Sequence, residues 1–190
     1  AVYTAVLPAL ASASALGRLA DARRKARQAY RITFLLGIPA QAGIWALATG
    51  IYRLIYGAPT GGPALEAMAW AVFPIMLQQT TSGVLQGMGR IGLPVRNFVL
   101  GAGVKIALTA LWTGPHGIAG AAWATAVGFG AAAALNLVDV ERHLGRTLQT
   151  RSMLWKPLGA SLAMVGLLRL MQPYVPPGNP GLLLAIAAGA

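Results

Sequence analysis

The chain contains no cysteine and only four acidic residues, Asp21, Glu66, Asp139 and Glu141, among its 190 positions. The missing cysteines exclude disulfides and thiolate metal sites. Histidine is nearly as scarce, with His116 and His143 alone, and neither sits in a recognisable ligand set, so no metal is expected. No Ser–His–acid arrangement and no phosphate-cradling glycine loop is visible, so neither an enzyme nor a cofactor is expected. Charge of either sign is sparse at 10%, against about 25% in soluble domains. A chain that is 56% hydrophobic with so few charges cannot cover itself with polar surface in water. The expected fold class is all-α, a polytopic transmembrane helical bundle.

Apolar runs long enough to cross a hydrocarbon core of about 30 Å recur along the sequence. Span one covers 32–56, span two 64–88, span three 95–112, span four 118–138 and span five 153–171. A sixth run, "GLLLAIAAGA", stops short, and the chain opens without methionine on "AVYTAVLPALASASA". Both ends read as cut, so a piece of a longer protein is expected. No basic region precedes "ALASASA", which argues against a signal peptide. The resulting division is 1–31, the end of a preceding helix plus a basic segment; 32–145, four spans; and 146–190, a basic connection and a trailing helix pair.

The formal net charge of +11 could indicate nucleic acid, but the distribution argues against it. The connections at 17–31, 89–96 and 139–156 hold 6, 2 and 4 Lys or Arg, together 12 of the 15. The alternate connections at 57–63, 113–117 and 172–180 hold none. Such alternation marks the basic loops as cytoplasmic in a cell-membrane protein. The segment 17–31 also admits a reading as a surface helix that binds anionic lipid headgroups.

Lys105 is the basic residue that this scheme leaves over at membrane depth. It lies nine residues after Arg96 and seven before Trp112, so about 10–14 Å from either end of its span. A charge at that depth costs about 2.5–3.5 kcal/mol on insertion scales, and all four acids map to loops or span ends. The amine therefore faces a wet cavity, pairs outside this chain, or snorkels. Asn97, Gly101, Lys105 and Thr109 recur every four residues and share one helix face, which favours the cavity. Span two adds Gln78, Thr81, Ser82 and Gln86 as further cavity candidates, although amides and hydroxyls also simply join helices. Gly83 and Gly87 form a G-x-x-x-G pair, and Gly83, Gly101 and Thr125 read as helix-packing positions. Asn136 reads as a cap at the cytoplasmic end of span four. The prolines at 39 and 74 are tolerable where neighbouring helices satisfy freed backbone groups.

Several stretches in order, "AVYTAVLPALASASALG", "RITFLLGIPAQAGIWALA", "LQQTTSGVLQGMGRIGLPVRN", "GAGVKIALTALW" and "GIAGAAWATAVGFGAAAALNL", resemble the polysaccharide-export and stage V sporulation protein B branch of the MOP (MATE-like) flippase superfamily. The resemblance covers residues 1–145 well and the remainder by hydropathy. It implies two bundles around a central cavity, of which this chain is the second, the C-lobe; the missing N-terminal bundle becomes a partner, with membrane lipids around both. It also implies a lipid-linked saccharide or peptidoglycan precursor as substrate, moved by alternating access. Lys105 matches the lysine of the family's "vKi" helix, and Gln86, Gly87, Gly89 and Arg90 match its "LqGlGr" turn. A cation-coupled multidrug antiporter of the same superfamily and a non-transporting membrane scaffold are the rival functions.

Overall fold

The computed structural model describes residues 19–57, 60–145, 147 and 150–171. The preceding helix end expected at 1–17 and the trailing sixth run lie outside these residues. Four α-helices follow one another: α1 (Leu19–Tyr56), α2 (Gly62–Gly87), α3 (Gly92–Leu144) and α4 (Thr150–Met171). Three of them, α1, α3 and α4, are long and apolar enough to cross a membrane, and the chain is a multi-pass membrane protein.

At 38 residues, α1 is about 57 Å long, nearly twice the hydrocarbon thickness. The basic segment at 17–31, read as a helix-prone connection ahead of span one, is from Leu19 onward the first turns of the same helix as span one. Its Ala, Arg, Lys and Gln are strong helix formers, so nothing in the sequence interrupts it. Ala22, Ala26, Ala29, Tyr30, Thr33 and Gly37 fall on one buried stripe. Around this stripe Tyr30 and Phe34 pack with Val84 and Leu85 of α2, Val140 and Leu144 of α3 and Met153 of α4. The core therefore sits at the basic end, where all four helices meet. Arg23 Nε donates to the Leu144 carbonyl at 2.6 Å, closing an oxygen that the end of α3 would leave open.

A straight α3 of 53 residues would reach about 80 Å. It folds back at Gly117, whose φ of 57° and ψ of −142° suit glycine. Asn97 lies against Asn136, Gly101 against Gly128 and Ala132, and Trp112 against Gly120, so the limbs before and after Gly117 run antiparallel. The turn expected at 113–117 narrows to this glycine, and the second limb continues helically six residues past the expected end at 138. The connection expected at 139–156 shrinks accordingly, since α4 starts at Thr150.

Pro74 lies inside α2 and leaves the carbonyl four residues back without its amide donor. Beside Pro74, the Phe73 amide donates to Gln41 Oε1 of α1 at 3.3 Å. Gly37 leaves room for the Phe73 ring, which would lie 3.0 Å from a Cβ at that position. Away from the basic end, Trp45, Trp70 and Trp123 form a chain of ring contacts across α1, α2 and α3, with centroids 6.4 and 5.9 Å apart. Arg169 of α4 lies 5.3 Å over the Trp45 ring. This aromatic layer lies beyond the basic layer, towards the other half of the bundle.

Candidate functional site

The α3 hairpin is drawn tight by small residues. A Cβ at Gly101 would stand 2.6 Å from the Gly128 carbonyl oxygen, and one at Gly128 would stand 2.6 Å from Lys105 Cβ. Lys105 thus leaves the helix where the limbs press closely together. Its half-buried side chain lies along a groove of about 140 Å³, lined also by Phe98, Ala102, Phe129 and Ala132. Lys105 is the one charged lining residue, and it makes no hydrogen bond or ion pair among the described residues. Thr109, one turn further on, encloses its hydroxyl without a hydrogen-bond partner.

Asn97 behaves differently from the cavity residue expected at the other end of the same stripe. It has no exposed surface; its Nδ2 donates to Asn136 Oδ1 at 2.9 Å and to Asp139 Oδ2 at 2.7 Å. Gly101 likewise lies against the second limb, at the floor of the groove. The four-residue stripe therefore divides, with Asn97 and Gly101 in the seam and Lys105 at its rim. The periodicity that groups them ignores the partner limb, which covers part of the face.

Gln78, Thr81 and Ser82 of α2 join the Asn97 layer and do not approach the groove. Gln78 Nε2 donates to Ser82 Oγ at 3.1 Å, and Asn136 Nδ2 donates to both Thr81 Oγ and Ser82 Oγ at 3.1 and 3.0 Å. All three α2 side chains are buried, so they hold helices together in this structure. Asn136, expected as an end cap, is instead the central member of this network. Thr125 Oγ donates within its own helix to the Ala121 carbonyl. Gly83 is buried, and Gln86 is half-buried.

The expected turn residues end α2. Gly89 takes a φ of 76°, and the Arg90 amide reaches back to the Leu85 carbonyl at 2.9 Å, a left-handed helix stop that needs glycine. Gly87 is the last residue of α2 and buried, while Arg90 projects outward.

Sequence reasoning missed Asp139 as a buried group. Expected in a basic loop, it lies inside α3 and is 4% exposed. Arg96 Nη2 donates to its Oδ2 at 2.8 Å, and Arg142 Nη1 approaches Oδ1 at 3.7 Å. The signal was available: Asn97 lies 20 residues before Gly117 and Asn136 lies 19 after it, so a hairpin closed at that glycine brings them together.

With this architecture in view, the comparisons with known proteins decide the family. Residues 1–186 match the family described as lipid II flippase MurJ. The chain belongs to the MurJ lipid II flippase family. That assignment agrees with the superfamily inferred from the motifs and does not bear on the polysaccharide-export branch within it. Among curated proteins, the chain is 28% identical over 167 residues to the "Uncharacterized membrane protein YabM" of Bacillus subtilis (strain 168), covering 88% of this chain and 31% of that protein. Among solved structures it resembles "Lipid II flippase MurJ, inward closed conformation" with a TM-score of 0.82 at 20% identity, over 100% of this chain and 40% of the other. The chain thus spans less than half the length of either, and the second likeness is one of fold.

Proposed function

We propose that this chain is part of a transporter, not an enzyme, that flips a lipid-linked oligosaccharide or peptidoglycan precursor across the bacterial cytoplasmic membrane by alternating access. In this reading it supplies the second bundle, with α1, α2, the two limbs of α3 and α4 each crossing once, and it works against a first bundle. The alternation of basic and uncharged connections supports a cytoplasmic basic end. Membership of the lipid II flippase family supports a lipid-linked substrate.

Lys105 carries the mechanistic part. An amine in a groove without a carboxylate partner among the described residues is suited to an anion that comes and goes, such as the diphosphate of the precursor. A permanent ion pair would cancel the field that draws the substrate in. The antiporter reading is weaker on this structure, because the buried carboxylate that could bind a coupling cation, Asp139, is already occupied by Arg96, Asn97 and Arg142.

The test is precursor flipping by the full-length protein reconstituted in liposomes. Lys105→Gln should lower the rate by about tenfold or more, the scale of one lost charge-assisted hydrogen bond, while membrane insertion stays at the wild-type level. Wild-type flipping by that variant would remove Lys105 from the mechanism.

A further inference from the structure

Arg96 sits at the basic end of α3, about 14 Å along the helix from Lys105, and it is held in an unusual way. Its Nε and Nη2 both donate to Asn97 Oδ1 at 3.1 Å, and Nη2 also donates to Asp139 Oδ2 at 2.8 Å. Both acceptors are themselves immobilised, since Asn97 and Asp139 are buried and bonded to each other. One edge of the guanidinium is thereby clamped. Nη1 has no hydrogen bond among the described residues, and the side chain remains 56% exposed.

A planar guanidinium whose Nε and Nη2 are held by the protein still has both Nη1 hydrogens to offer, and needs little further ordering to give one to a phosphate oxygen. The charge balance permits it too. Asp139 stands between two guanidiniums, Arg96 and Arg142, so the cluster keeps one positive charge in excess. An incoming anion does not have to break the Asp139 contact, because it uses donors that contact leaves unused.

We propose that Arg96 is a phosphate-binding station at the basic-end mouth of the α3 hairpin, taking the diphosphate of the lipid-linked precursor before Lys105 does. Asn97 and Asp139 are positioning residues that aim it. This inference rests on the flippase reading above and adds an entry site to it.

The test is lipid binding to the full-length protein in phosphatidylcholine nanodiscs, with undecaprenyl diphosphate as probe and undecaprenol and phosphatidylglycerol as comparisons. The wild type should prefer the diphosphate. Arg96→Gln should weaken diphosphate binding by about tenfold or more and leave undecaprenol unaffected. Arg96→Lys keeps the charge and loses the fork, so it should weaken binding less; it also carries the test should the glutamine variant melt early. Arg24→Gln removes an exposed charge already paired with Asp21 at 2.9 Å, and should stay within about twofold, as expected for a surface pair. Equal diphosphate binding by wild type and Arg96→Gln would overturn the station, as would an equal loss in Arg24→Gln. Phosphatidylglycerol binding that matches the diphosphate and falls equally in Arg96→Gln would assign the site to bulk lipid headgroups and overturn it for the precursor. Normal flipping by Lys105→Gln, in contrast, would sink the underlying mechanism through a different measurement.

Discussion

Asn97 and Lys105 are eight residues apart on one helix, about 12 Å along its axis, and their surroundings are opposites. Asn97 is fully buried and its amide is shared between Asn136 and Asp139. Lys105 is half-buried and makes no bond among the described residues. A layer in which donors meet acceptors fixes α2 and both limbs of α3 at the basic end, as satisfied polar networks do in apolar surroundings. A polar group left without a protein partner is poor glue and good equipment for a transient ligand. The same helix therefore carries a structural layer and a working one, and the two should respond to mutation in opposite ways.

The largest expected effect breaks the seam between the layers. Gly101→Ala places a Cβ 2.6 Å from the Gly128 carbonyl oxygen and 2.7 Å from Ala132 Cβ. Backbone cannot move aside as a side chain can, so the limbs must separate, at a cost of about 2–3 kcal/mol. Thermal unfolding of the purified full-length protein should show a clear loss, and flipping should fall because Lys105 is displaced with its helix. A wild-type melting curve would mean that the limbs part freely.

A smaller effect separates the layers themselves. Asn136→Ala strips the donor to Thr81 and Ser82 and one acceptor of Asn97, and should cost about 1–3 kcal/mol of stability. Lys105→Met should cost nothing in the same assay, since it removes a charge with no partner among the described residues and keeps much of the stem, yet flipping should be lost. Loss of stability from both variants would show that Lys105 belongs to the structural layer after all.

How much of this was legible in the sequence follows the same division. Hydropathy and the alternation of basic connections brought out the helices, their order and a distinct basic end, because both are properties of a segment taken alone. The basic run leading into span one was legible as helix-prone because nothing between its residues breaks a helix, but its packing against the other three helices was not. Lys105 was conspicuous because an amine in an apolar run is expensive wherever it points. The Asn97, Asn136 and Asp139 layer was not legible as a layer: periodicity says which face of a helix is polar and is silent about what covers that face. Asp139 in particular looked like a loop residue because apolar character ends just before it, whereas the helix and its burial continue to Leu144.

The smallest expected effect tests the seam by a change two residues away. At Gly103 an added Cβ meets nothing within 4 Å, and the helix around it is regular. Gly103→Ala should therefore stabilise the full-length protein by about 0.5–1 kcal/mol, the difference in helix propensity and unfolded-chain freedom between the two residues. The sign is opposite to that at Gly101 although the substitution is identical, so the pair isolates packing against the second limb from any general intolerance of side chains in this glycine-rich helix. Stabilisation with normal flipping would leave the Gly103 face to lipid. Stabilisation with flipping lost would place that face against a moving partner, the surface on which a first bundle would close.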